Sequence, residues 1–125
     1  SFGADPRAKH SCYYFRRSVE IPAEKTFDLF VLEAIVDDGF AVYINGTERI
    51  RYNLPEGALG YSTLAVEKID GNPEWRWVVH PLEPTVFSEG ENTIAVEVHQ
   101  HNPASSDVSF NLRITAYRRL RRQRP

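Results

Sequence analysis

The sequence predicts an all-β fold, an antiparallel β-sandwich, from three observations. Apolar residues rich in Val, Ile, Phe and Tyr recur with period two or in short runs. Turn-forming residues interrupt them at roughly eight-to-twelve-residue intervals, the rhythm of a sandwich. No stretch carries a 3.6-residue apolar stripe longer than about two turns, so no substantial helix is expected.

The elements follow in order. Residues 13–21 alternate as a strand, and Pro22-Ala23-Glu24-Lys25 closes it in a polar turn. Residues 27–36 are too apolar for a half-exposed strand and are expected at the centre of a sheet. Asp37-Asp38-Gly39 reads as a turn, since it lacks the alternating oxygen ligands and distant Glu of an EF-hand. Residues 40–44 run into Asn45-Gly46, a dipeptide suited to a type I′ hairpin turn, with 47–51 returning. Residues 53–60, with Pro55, Gly57 and Gly60, read as a loop, and 61–69 have room for a short strand. After the turn Asp70-Gly71-Asn72-Pro73, residues 75–79 alternate, with Trp75, Trp77 and Val79 on one face. One short helical turn is expected at 84–87, a turn at 88–92, and closing strands at 93–100 and 108–117 around the polar loop 101–107.

A chain of 125 residues is long enough for one real core and too short for two. With 42% hydrophobic and 26% charged residues it lies outside the composition of disorder. No apolar run approaches the roughly 20 residues of a membrane span. The chain starts at Ser1 without a leader and reads as a processed or excised fragment, and the lone Cys12 as a small buried side chain. Five of the 15 basic residues, Arg118, Arg119, Arg121, Arg122 and Arg124, fall in the last eight positions, leaving ten basic against 17 acidic side chains elsewhere. An acidic body without a basic patch argues against nucleic acid as its partner, leaving the Arg-rich tail alone with the charge for a polyanion. The expected division is therefore a β-sandwich domain over 1–117 and an Arg-rich tail or linker over 118–125.

The strings Tyr13-Tyr14-Phe15-Arg16-Arg17-Ser18-Val19, then 36–48 with Asp37-Asp38-Gly39 and Tyr43-Ile44-Asn45-Gly46, then Gly90-Glu91-Asn92-Thr93-Ile94-Ala95-Val96-Glu97-Val98, resemble galactose-binding-like sandwich modules of large secreted bacterial proteins. The same patterns are similar to the non-catalytic β-sandwich of family 2 glycoside hydrolases. The resemblance spans most of residues 13–116. It implies a jelly roll, an extracellular or cell-surface setting, a non-catalytic accessory role beside neighbouring domains, and often carbohydrate binding.

Two groups of residues have the chemistry for a ligand. Trp75, Trp77 and Tyr61 are aromatic platforms for the C–H face of a sugar, with Arg51 and Asn53 as planar hydrogen-bonding neighbours. The competing reading places both tryptophans in the core. His99, Gln100, His101 and Asp107 concentrate polar groups where one strand leaves and the next enters, the default place for binding residues. Their competing reading is local turn capping by Asp107 and the adjacent serines. His99 and His101 share a strand face, so a metal-dependent site is the third reading, although no carboxylate at diagnostic spacing supports it. No cofactor is expected, and no motif supports a structural calcium. Nothing resembles the nucleophile elbow of an acyl-transfer enzyme. The expected function is carbohydrate or cell-surface ligand binding without catalysis, the alternative a spacer or protein-interaction domain.

Overall fold

A computed structural model describes residues 12–23, 27–60, 63–66, 77–100 and 109–118, with backbone alone at 36, 37 and 109. Seven strands are described: β1 Cys12–Ile21, β2 Leu29–Asp37, β3 Gly39–Ile44, β4 Thr47–Tyr52, β5 Val78–Leu82, β6 Gly90–His99 and β7 Ser109–Tyr117. They form two antiparallel sheets, one ordered β1-β6-β3-β4 and the other β5-β2-β7. Apart from the β3–β4 hairpin, each successive strand changes layer. No described helix is long and apolar enough to cross a membrane.

Period-two burial builds the core between the layers. Phe30, Leu32 and Ala34 point inward from β2 and meet Phe40, Val42 and Ile44 of β3 and Ile94, Val96 and Val98 of β6, all buried. Leu82, Val86 and Phe87 close one end, with Phe30 and Phe87 ring centroids 4.5 Å apart. The short turn expected at 84–87 is a single 3-10 turn, Pro84–Val86, entered through proline.

The Asp37-Asp38-Gly39 string is where the chain leaves one layer for the other. β2 ends at Asp37 and β3 begins at Gly39, leaving Asp38 alone as the corner, its N–H donating to the His99 carbonyl at 3.3 Å. Space decides the residue at 39: a Cβ there would lie 2.6 Å from the Asn53 carbonyl oxygen and 2.9 Å from Leu54 Cδ2.

Asn45 (φ 52°) and Gly46 (φ 85°) form the expected hairpin turn, with Ile44 paired to Thr47. Asn92, fully buried, secures it: its Oδ1 accepts from Asn45 Nδ2 at 2.8 Å and from the Ser88 N–H at 2.8 Å, and its Nδ2 donates to the Ser88 and Gly90 carbonyls. Four residues on, a shift in the β3–β4 register pairs Val42 with Ile50 but Tyr43 with Glu48, so Arg49 has no opposite number. That extra residue brings Glu48 and Arg51 onto one face, where Arg51 Nη2 and Nε donate to the two carboxylate oxygens at 2.6 and 3.2 Å.

Three expectations need correction. The strand near the tryptophans, expected over 75–79, runs Val78–Leu82 with Trp77 just before it, and Pro81 sits on what is, among the described residues, an edge strand, where a missing N–H is tolerated. Strand β6 already begins at Gly90, inside the stretch expected to turn. Residues 63–66 are not a strand; they and 53–60 fold back over the outer face of the four-stranded sheet, where Leu54 and Ala65 bury Ala41. The other proposed strand residues at 61–69, the turn at 70–73 and the tail beyond 118 lie outside the described residues.

Candidate functional site

His99 ends up in a sealed polar cluster on the outer face of the four-stranded sheet. Register explains the assembly: Cys12 lies opposite His99, which lies opposite Gly39, and Tyr14 lies opposite Glu97, which lies opposite Ala41. Period two puts Glu97 and His99 on the same face of β6. His99 Nδ1 lies 2.6 Å from the Thr63 carbonyl, and Nε2 lies 3.0 Å from Glu97 Oε1 and 3.5 Å from Cys12 Sγ. A carbonyl only accepts, so Nδ1 carries a proton, and the Glu97 carboxyl favours a second one on Nε2. Burial alone would lower the His99 pKa, but hydrogen bonds to Cys12, Glu97 and Thr63 overcome it and raise it to about 9. At neutral pH the ring is therefore an imidazolium. Tyr14 is pushed up to about 12, chiefly by its hydrogen bond to Cys12, then by burial and the neighbouring Cys12 and Glu97 charges.

This cluster fastens the overlying segments. Thr63 is held by His99, the Ala65 N–H donates to the Gln100 carbonyl at 2.9 Å, and the Val66 N–H donates to the Asn53 carbonyl at 3.0 Å. Arg51 Nη1 donates to the Pro55 and Gly57 carbonyls, each at 2.7 Å, while Asn53 Nδ2 donates to the Asp38 carbonyl at 3.2 Å. Cys12, His99 and Gln100 are all within 2% of complete burial. Among the described residues no group of three or more His, Cys, Asp or Glu is arranged to hold a metal ion.

The sequence-derived site residues thus separate. Arg51, Asn53, His99 and Gln100 belong to the framework holding segments 53–60 and 63–66, with His99 and Gln100 buried. Tyr61, Trp75, His101 and Asp107 lie outside the described residues. Trp77 stands apart on the opposite layer, one residue before β5 and half-buried. Its shared face with Val79 is the outer face, not the core: Val79 opposes Glu33 across the β5–β2 ladder and is 56% exposed.

Two residues that the sequence did not single out complete the Trp77 surface. The Arg113 guanidinium lies over the Trp77 ring, 4.7 Å from its centroid, and Arg113 Nε donates to Glu33 Oε1 at 3.0 Å. Glu33 and Arg113 are direct partners in the β2–β7 ladder, so both point away from the core. Asn111, Thr115 and Tyr117 follow on the same face of β7 by alternation, and Leu29 opposes Tyr117. Leu29 and Tyr117 are both exposed. The signal was available in Asn111-x-Arg113-x-Thr115-x-Tyr117, a polar and aromatic alternate set, but only the pairing brings Glu33 and Trp77 beside it.

Comparison with known proteins adds the following. No family model matches the chain, and no curated protein matches it. Among solved structures it is similar to a β-D-mannosidase from Dictyoglomus thermophilum, with a TM-score of 0.46 and 13% identity, over 75% of this chain and 9% of that one.

Proposed function

We propose that this chain is a non-catalytic recognition module that docks an extended carbohydrate on the outer face of the β5-β2-β7 sheet. The observation that carries the reading is the Trp77–Arg113–Glu33 constellation on that face, with Trp77 and Glu33 half-buried and Arg113 exposed. An indole offers an apolar face to sugar C–H groups, while a guanidinium and a carboxylate donate to and accept from hydroxyls. Arg113 uses Nε for Glu33, so a ligand would meet its terminal nitrogens. Tyr117 lies four residues along the same strand face, about 13 Å away at strand spacing, so the surface suits an oligosaccharide rather than a single sugar. In this reading a neighbouring domain of an exported parent supplies any chemistry and the module supplies attachment.

Affinity electrophoresis through a panel of polysaccharides tests the proposal with the wild type, Trp77→Ala, Arg113→Ala and Tyr117→Ala. At least one polysaccharide retards the wild type, and Arg113→Ala lowers the affinity by about tenfold, the scale of one charge-assisted hydrogen bond. Arg113 is more than half exposed, so that variant keeps its fold. Retardation by no polysaccharide, or equal retardation of wild type and Arg113→Ala, contradicts the carbohydrate reading. The first outcome would favour a protein partner for the exposed Leu29, Val79 and Tyr117.

A further inference from the structure

Among the described residues, the two layers leave one side of the sandwich open. There β1, whose described partner is β6 alone, faces β7, whose described partner is β2 alone. Phe15 of β1 stacks on Phe110 of β7 with ring centroids 4.8 Å apart at 14°. Beside this pair runs a cleft of about 240 Å³ floored by Ile94, Val96 and Leu112 and rimmed by Arg16 and Arg17. Its floor is thus an edge of the main core, and Phe15 remains 39% exposed.

The geometry points to an acidic, extended peptide as the occupant, added as a strand along β1 with apolar side chains seated in the cleft. Three features select it. The cleft is smaller than the roughly 300 Å³ at which small-molecule sites begin, and it lies along a strand edge, which suits alternate side chains of a β-addition peptide. Phe15 faces β7 and Arg16 projects to the other side, a spacing that matches alternating apolar and acidic residues, while Arg17 shares the Phe15 side at the rim of the cleft, within reach of an acidic group at the peptide's end. Neither arginine has an acidic partner among the described residues, within a body that is otherwise predominantly acidic. Charges on an edge strand discourage indiscriminate pairing, and two unpaired arginines do so selectively, repelling basic strands and admitting acidic ones.

The test is an NMR titration of the full chain, labelled with 15N, using three synthetic octapeptides: alternating Val-Glu, alternating Val-Lys and alternating Ser-Glu. The Val-Glu peptide binds saturably, shifts the amides of Phe15, Arg16, Arg17, Phe110 and Leu112, and weakens as salt is raised. Ser-Glu, lacking apolar anchors, and Val-Lys, of the wrong charge, do not saturate. The double variant Arg16→Glu/Arg17→Glu loses affinity for Val-Glu by about tenfold or more, the scale of two exposed ion pairs, and gains Val-Lys binding. Both residues are exposed, so the fold is retained. Equal binding of the three peptides, salt-independent binding, or shifts confined to other strands overturns the assignment. So do concentration-dependent shifts at these amides without peptide, which would give the cleft to a second copy.

Discussion

Replacing His99 by alanine is expected to destabilise the protein by about 3–5 kcal/mol, the cost of removing one member of a buried, hydrogen-bonded charge pair. The substitution leaves the Glu97 carboxyl buried without its imidazolium, leaves the Thr63 carbonyl without its donor, and opens a cavity beside Cys12. It also releases the tie between β6 and the covering segment 63–66. The pH dependence supplies a second signature. The folded His99 pKa, about 9, lies above its ordinary 6.5, so its contribution is fully present below pH 6.5 and is lost as pH rises through 9. Denaturant unfolding of the wild type should therefore show stability declining over that interval, while His99→Ala and His99→Gln give flatter profiles there. A variant as stable as the wild type, or one with the same alkaline decline, contradicts the assignment of an imidazolium to this site.

Gly39→Ala is the second large effect, at roughly 1–3 kcal/mol or somewhat more, the usual range for overpacking. Of the three nearest obstacles to a new methyl group, Leu54 Cδ2 at 2.9 Å is a side-chain atom, but the backbone oxygens of Asn53, at 2.6 Å, and Tyr52, at 3.1 Å, cannot turn away as a flexible side chain would. Relief requires moving the entry of segment 53–60 off the sheet, which strains the Arg51 clasp on Pro55 and Gly57. At Gly46, by contrast, a Cβ meets no atom within 4 Å, and only its positive φ of 85° resists substitution. Thermal unfolding of both variants checks the difference: Gly39→Ala should lose more than Gly46→Ala, and the reverse order would mean that close approach is not what demands glycine at 39.

The strands and core were legible because burial between two layers imposes period two on the sequence. Phe30, Leu32, Val42, Ile44, Ile94 and Val96 face inward as that alternation requires, and Asn45-Gly46 turns the hairpin through local backbone preference alone. The candidate site was legible only in fragments. Cys12 and His99 are 87 positions apart and meet because β1 and β6 pair in a particular register, which no local pattern encodes. Glu97-x-His99 was visible as a same-face pair, but whether that face lies open or covered depends on how the segments 53–60 and 63–66 fold. Trp77 shows the same ambiguity. Alternation puts it with Val79, yet the sequence does not say whether their common face looks toward the other layer or away from it. Arg113 and Glu33 carry no local signal, and only the β2–β7 ladder sets them opposite one another.

The His99 cluster is framework sealed beneath segments 53–60 and 63–66. Cys12, the sole cysteine of the chain and 2% exposed, reports on this directly. Titrated with a thiol-specific chromogenic disulfide at neutral pH, the native protein should react negligibly over the time in which the denatured protein reacts to one equivalent. Rapid stoichiometric labelling of the native chain would contradict the account, because it would show that the cover over Cys12, His99 and Glu97 stands open.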